Sequence, residues 1–502
     1  MTFTVVTIQK EEPFMKPLKV PHTRQVAILA ATLFTSLALA STPILNAAPV
    51  PATTTASSET AAASGHLTTP TTYAAIGQQV PWRATNLPAN QTLRLVWEHV
   101  TGHWQVDGPN LIGAQYEDSE QVLASVHTSS SGTASGTFAV PLGFGGEHTF
   151  GLENAQGQTL ATTAVIVTMT AQLAASSEPN GGFFTLSVSG LGYGGGYNNY
   201  NSEYGVLYDN HYMGFLSGVT TEGRASFRVR AEGVGAHVIS IINSPVEGPY
   251  LNQQQSPYPW FGQFDWTVQV TPAVPHIVIS HPVATVTQAV GTHLTLTPGS
   301  GYVGSNVTWN GQGLPKNAAL TLQMSTESGN RVTANSYTGQ WMTLGTAKTN
   351  AAGTFVQTMK VPEALGGPAH PVRLLDGNQV VGSSHYRIVP HLIGVSPAVV
   401  QEGQPFTIHL TGVGWTEYDN IYAVDYDNGY TGYGCGFNSN GDVEIILRAA
   451  GAPGYHFIDL YPSPYKGATD FPNWYGMPQL TYAQDHPGDT LPAFHVVIRV
   501  VP

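Results

Sequence analysis

Cysteine is almost absent from this chain. Cys435 is the one thiol in 502 residues, so no intrachain disulfide can form. Charge is sparse as well. Lys, Arg, Asp and Glu together make 10% of the residues, and 18 Lys+Arg stand against 31 Asp+Glu, a formal net charge of −13. Nucleic-acid binding rests on a basic footprint, so that class of partner is not expected. Long Ala/Leu/Glu/Lys-rich amphipathic runs are missing after residue 48. There is no G-x-S-x-G elbow and no H-E-x-x-H helix, so nothing supports nucleophilic or zinc-hydrolase chemistry. Paired carboxylates for glycoside hydrolysis leave no mark in a sequence, and none is marked here.

What the chain has instead is Gly (55) and Pro (35), a mixture that suits many short strands joined by turns. Its length leaves room for about three to five domains of ~100–150 residues. Near the start, Lys16, Lys19 and Arg24 precede an apolar run from Val26 to Ala40, the layout of an export signal. Ala38-Leu39-Ala40 before Ser41 has the small-x-small cleavage pattern, and Asn46-Ala47-Ala48 is a second candidate. Met15 is an alternative start. The mature protein is expected to begin near Ser41 or Pro49 and to be secreted or at the cell surface. An uncleaved N-terminal segment is the alternative, and the only membrane contact considered. No cysteine follows the apolar run, which argues against a lipoprotein anchor.

The second half of the chain is a rewritten copy of the first. Gly77, Val80, Trp82, Leu87, Pro88 and Asn90 recur as Gly304, Val307, Trp309, Leu314, Pro315 and Asn317, at one offset (304 − 77 = 227). His66-Leu67-Thr68 recurs as His293-Leu294-Thr295, Gly132-Thr133 as Gly353-Thr354, and Val140-Pro141 as Val361-Pro362. The offset then drifts to 218 (426 − 208) at Tyr208-Asp209-Asn210 and Tyr426-Asp427-Asn428. A duplication allows comparison inside one chain. Residues 1–48 read as the export segment and 49–64 (PVPATTTASSETAAAS) as a flexible linker. From residue 65 the pattern is β. Val80 and Trp82, then Leu93, Leu95 and Trp97, alternate with polar residues, and turn clusters recur every ~8–12 residues. Each copy divides into a first-type and a second-type unit, 65–169 and 170–272, then 292–389 and 390–502, with 273–291 as a linker.

The first-type unit, G-x-x-V-x-W-x-x-x-x-L-P-x-N followed by G-T and V-P, resembles the immunoglobulin-like modules strung along bacterial secreted and surface proteins. The second-type unit opens with Gly182 to Gly192 and with Pro405 to Gly414, strands running into a Gly-x-Gly turn. That opening is similar to IPT/TIG-type domains. The resemblance implies an all-β chain of four tandem immunoglobulin-like β-sandwiches, arranged as a duplicated two-domain unit after the signal segment. It brings no functional residues with it, because such modules serve binding, spacing and adhesion alike.

The second-type units hold the unusual side chains. Tyr208, Asp209, Asn210, Tyr212, His237 and Trp260 match Tyr426, Asp427, Asn428, Tyr430, His456 and Trp474. Asp-Asn-Gly between alternating strands is a hairpin turn, alternate tyrosines are ordinary strand chemistry, and the histidines sit in apolar stretches. The same twelve residues also suit a ligand face: rings stack on the CH faces of sugars while Asn and Asp meet hydroxyls. Both readings stand at this level. A calcium loop at Asp425-Tyr426-Asp427 lacks a third ligand, and Leu207 replaces Asp425 in the first copy, so no metal or cofactor is expected. Cys435 is matched by Ser217 and reads as a small packed side chain. The expected function is a non-enzymatic surface protein whose aromatic loops bind a glycan or surface partner. The alternatives are a self-associating spacer or matrix component, and an extracellular carbohydrate-active enzyme.

Overall fold

The structure, a computed structural model, describes residues 65–193, 204–244, 248–252, 255, 263–276, 285–329, 337–436, 440–464 and 476–502. The export segment and the linker at 49–64 lie outside them. Among the described residues every long element is a strand, and alternation makes it one. In Gln79–Thr85 Gln79, Pro81 and Arg83 are exposed, while Val80, Trp82 and Ala84 are buried, as the two-residue period of a strand requires.

The first sandwich has a three-stranded sheet with Gln79–Thr85 between His66–Thr68 and Ala134–Ala139. Its second sheet has five strands in the order Tyr73–Ala75, Thr159–Thr168, Gly146–Glu153, Thr92–Asp107, Asn110–His127. Both contribute to one core, from Trp82 and Phe138 on one side to Leu95, Phe150 and Val165 on the other. The short Tyr73–Ala75 runs parallel to the last strand, although the remaining pairs are antiparallel. That splitting of the opening strand between two sheets is an immunoglobulin-like arrangement. It recurs three times, as Ser177–Pro179 with Phe264–Thr271, Ser300–Gly301 with Gln379–Ile388, and Val399–Gln401 with Phe494–Val501. Four sandwiches with four cores result. The third begins earlier than the sequence suggests. Ala289–Val290, inside the stretch read as linker, adds an edge strand to Leu294–Thr297.

The duplicated residues build the same parts twice. Trp82 and Trp309 are both core residues, 4% and 2% exposed. The Leu-Pro-x-Asn segment is a locked loop. Leu87 N–H donates to the Gly132 carbonyl, and Leu314 N–H to Gly353, each at 3.0 Å. Thr128 and Thr349 hydroxyls donate to the Pro88 and Pro315 carbonyls, each at 2.6 Å. Gly132 and Gly353 have φ of +68° and +75°, and a Cβ on either would sit 2.2 or 2.3 Å from the Leu87 or Leu314 carbonyl oxygen. Both the backbone region and the space demand glycine.

The sandwiches are tandem in sequence but pack on one another. The long hairpin of Thr92–Asp107 and Asn110–His127 reaches from the first sandwich to the fourth. There Leu111 N–H donates to Glu417 Oε2 at 2.7 Å, and Tyr418 Oη donates to the Gly108 carbonyl at 3.0 Å. Trp104 Nε1 donates to Asp485 Oδ1 at 3.1 Å, and the same oxygen accepts from the Thr220 N–H of the second sandwich at 2.7 Å. Asp485, fully buried, thus ties three sandwiches together.

Candidate functional site between the second and fourth sandwiches

The candidates taken from the sequence fall first into two matching hairpins. Asp209-Asn210 and Asp427-Asn428 have positive φ, from +48° to +68°, the backbone of a two-residue type I′ turn. Each aspartate then reaches back to the next strand. Asp209 Oδ2 lies 2.6 Å from His237 Nδ1, and Oδ1 accepts from Val238 N–H at 2.9 Å. Asp427 does the same with His456 Nδ1 at 2.5 Å and Phe457 N–H at 2.9 Å. The far ring nitrogens lie 2.6 Å from the Gly233 carbonyl and 2.8 Å from the Ala452 carbonyl. Tyr208 stacks on His237, and Tyr426 lies tilted over His456. Tyr208 Oη donates to the Glu232 carbonyl and Tyr426 Oη to that of Ala450, both at 2.8 Å. The aspartate's hydrogen bond, against burial, raises the His456 pKa.

The structure therefore brings Tyr208, Asp209 and His237 together, and likewise Tyr426, Asp427 and His456, in contacts internal to the fold. Asn210 is exposed, whereas Asn428 is buried and donates from Nδ2 to the Arg230 carbonyl at 2.8 Å. Tyr212 is half-buried, and Tyr430 Oη donates to the Gly476 carbonyl at 3.1 Å. Trp260 and Trp474 lie outside the described residues.

Beside Asn428 the two second-type sandwiches meet. In Arg224–Arg230 the alternate residues Ala225, Phe227 and Val229 enter the core of the second sandwich. The strand period sends Ser226, Arg228 and Arg230 to the outer face, together with Phe183 and Thr185 of the neighbouring strand. In the fourth sandwich Val424, Ile458, Leu460, Phe494 and Val496 are core, so Asp425, Asp459, Tyr461 and His495 face outward. These two outer faces pack together and bury residues that a lone sandwich would expose.

The contact is charged and buried. Arg230 grips Asp459 at two points, Nη2 to Oδ1 at 2.6 Å and Nε to Oδ2 at 3.2 Å, and its Nη1 donates to the Gly181 carbonyl at 3.0 Å. His495 Nδ1 lies 2.7 Å from the same Asp459 Oδ1. Burial alone would raise the Asp459 carboxyl, but Arg230 and His495 outweigh it and hold the group well below the usual carboxylate range. Two further acids go the other way. Burial, with Asp459 alongside, keeps Asp425 well above its ordinary value, and neither carboxyl oxygen has a hydrogen-bond partner. Burial, then Asp427 and Asp459, pushes Glu232 up to about 10. At about 10, the Glu232 carboxyl is neutral at pH 7.

Next to this cluster a cleft of about 290 Å³ opens between the sandwiches. Phe183 forms part of its wall, with the Arg228 guanidinium 4.6 Å and that of Arg230 4.0 Å from its ring centre, and the His495 ring edge-on at 5.0 Å. Tyr461, Tyr482, Gln479 and Gln484 complete the aromatic and amide lining. None of the ten described sequence candidates is among the lining residues.

Sequence reasoning missed this site because it followed what the copies share. The site lies where they differ. Asp459 faces His495 across its strand pair. The equivalent pair of the second sandwich is Ser240 and Asp265, with Ser240 Oγ donating to Asp265 Oδ1 at 2.6 Å. Also missed were two buried histidines that recur at matching places. His148 lies 3.1 and 3.0 Å from the Glu98 and Phe144 carbonyls, and His370 2.9 and 2.8 Å from those of Ser325 and Leu365.

No family model matches the chain, and no curated protein does. Solved structures match at low identity. The native conformation of Escherichia coli alpha-2-macroglobulin matches at 9% identity over 86% of this chain and 30% of its own, with a TM-score of 0.18. The chain therefore spans under a third of that protein. A membrane-anchored protein from Corynebacterium diphtheriae matches at 12% identity over 64% and 89%, with a TM-score of 0.17. The Escherichia coli adhesin FdeC matches at 10% over 88% and 98%, with a TM-score of 0.15. These TM-scores lie far below that of a shared whole-chain arrangement.

Proposed function

We propose that this protein is an exported, non-enzymatic binding protein whose second and fourth sandwiches, of IPT/TIG type, take a glycan or glycan-bearing surface partner in the cleft between them. The observation that carries this reading is the lining. Half-buried Phe183 offers ring surface and exposed Gln484 an amide, over a floor of buried Tyr461, Tyr482 and Gln479, the combination that suits a sugar's apolar face and hydroxyl rim. At about 290 Å³ the cleft sits at the small end of ligand pockets, the size of a single sugar residue. The packed body around it supports the reading, because a preformed site loses little entropy on binding. Export rests on the segment ending at Ala40, and the absence of an enzymatic role rests on the missing nucleophile and metal motifs.

The test is a glycan array probed with the full chain, repeated with Ala483→Trp. Ala483 is an exposed residue on the cleft lining, so a large ring there blocks the opening without disturbing the core. Retained glycans should lose at least tenfold in affinity, about 1.4 kcal/mol, at an unchanged melting temperature. No retained glycan, or unchanged binding by Ala483→Trp, would overturn the reading. N-terminal sequencing of the exported protein checks the start near Ser41 or Pro49.

A further inference from the structure

The cleft is positive in a chain that is strongly negative. Among its described lining residues Arg228 is the permanently charged side chain, His495 is a second nitrogen donor, and no Asp or Glu is present. The formal charge of the whole chain is −13, so this is a marked local reversal. The nearby acids do not restore the balance. Asp459 is occupied by Arg230 and His495, Glu232 is neutral at pH 7, and Asp425 is buried away from the lining. Arg228 is exposed, lies over the Phe183 ring at 4.6 Å, and has no carboxylate partner among the described residues. Its guanidinium is thus placed in advance for a planar anion, which it binds through two parallel N–H donors. His495 donates from Nδ1 to Asp459, which fixes the ring and leaves Nε2 for a second contact.

We infer that the cleft selects an anionic sugar, a uronic acid whose carboxylate lies on Arg228 while its ring packs against the aromatic wall. This inference rests on the reading of the cleft as a glycan site and names the chemical class it takes. The rest of the surface favours the same choice, because a chain of net charge −13 repels acidic polymers everywhere except at a site built to receive them.

The experiment titrates the full chain with trimers of galacturonate, glucuronate and mannuronate, each as the free acid and as its methyl ester, which keeps the shape and removes the charge. At least one acid should bind tenfold or more tighter than its ester at low salt. Arg228→Gln should erase that preference, bringing acid and ester to equal affinity at an unchanged melting temperature. Raising the salt from 50 to 500 mM should narrow the gap in the parent protein only. Equal binding of acid and ester, both lost in Ala483→Trp, would overturn the inference and leave the glycan cleft standing. A preference that survives Arg228→Gln would overturn it as well. No binding of any trimer would overturn the inference, and binding indifferent to Ala483→Trp would overturn both.

Discussion

Arg230 and Asp459 lie on different sandwiches, 229 residues apart in the chain (459 − 230), and form a two-point ion pair of 2.6 and 3.2 Å with both side chains buried. Two rings lie against the guanidinium, Phe183 at 4.0 Å and Phe457 at 5.4 Å. It is the electrostatic centre of the contact between the duplicated halves.

Breaking this pair from one side should cost more than removing it whole. Asp459→Asn leaves the Arg230 charge buried without its counter-ion and should destabilise the protein by about 3–5 kcal/mol. Arg230→Met combined with Asp459→Leu removes both charges and should cost clearly less than the sum of the single changes. Urea denaturation of the two single variants and the double variant measures the coupling, and strict additivity would contradict it.

Glu232→Gln should stabilise the protein at neutral pH. In the fold Glu232 is neutral, pushed up to about 10 from an ordinary value of 4.5. Between those values the unfolded chain binds fewer protons than the folded one, so stability falls as pH rises. The penalty is absent below about pH 4.5, and at pH 7 it is about 3 kcal/mol, 2.5 pH units at 1.36 kcal/mol each. Gln keeps the shape without titrating. Thermal melts of both proteins from pH 5 to pH 8 should diverge upward in favour of the variant. Parallel curves would place Glu232 in the ionised state.

The histidine clip of the fourth sandwich has the same sign over a different window. The Asp427 hydrogen bond raises His456 above its ordinary 6.5, so the charged clip contributes fully below pH 6.5 and fades as pH rises through the folded value. Asp427→Asn should remove about 1.5–3 kcal/mol at pH 6 and less at pH 9. Denaturation at the two pH values measures the difference, and an equal loss at both would contradict a charge-assisted bond.

Trp82→Ala and Trp309→Ala should each cost roughly 3–5 kcal/mol, as large core truncations do. Neither indole Nε1 has a hydrogen-bond partner, so Trp→Phe at the same sites loses packing but no hydrogen bond and should retain most of the stability. Chemical denaturation of the four variants checks this. A loss under about 1 kcal/mol for either Ala variant would place that ring outside the core.

The sequence by itself determined the β architecture, the duplication and the local devices. Alternation in segments such as Gln79–Thr85 sets which side chains face inward, because a strand has a period of two. Leu87, Pro88, Gly132 and their second-copy equivalents act within one sandwich, so a repeated motif is enough to expose them. The Asp209 and Asp427 turns were legible for the same reason, their φ values being a property of two adjacent residues. Only the tertiary structure decided where the candidate site lies. Alternation marks Arg228, Arg230, Asp459 and His495 as outward-facing, the ordinary place for charged groups, and nothing in the period tells which outward face a second sandwich will cover. That choice buries Asp459 and Asp425, shifts their carboxyl pKa values in opposite directions, and leaves Arg228 on the wall of a cleft lined by strands from both halves of the chain. Desolvation and ion pairing act through space, and the order of residues does not record them.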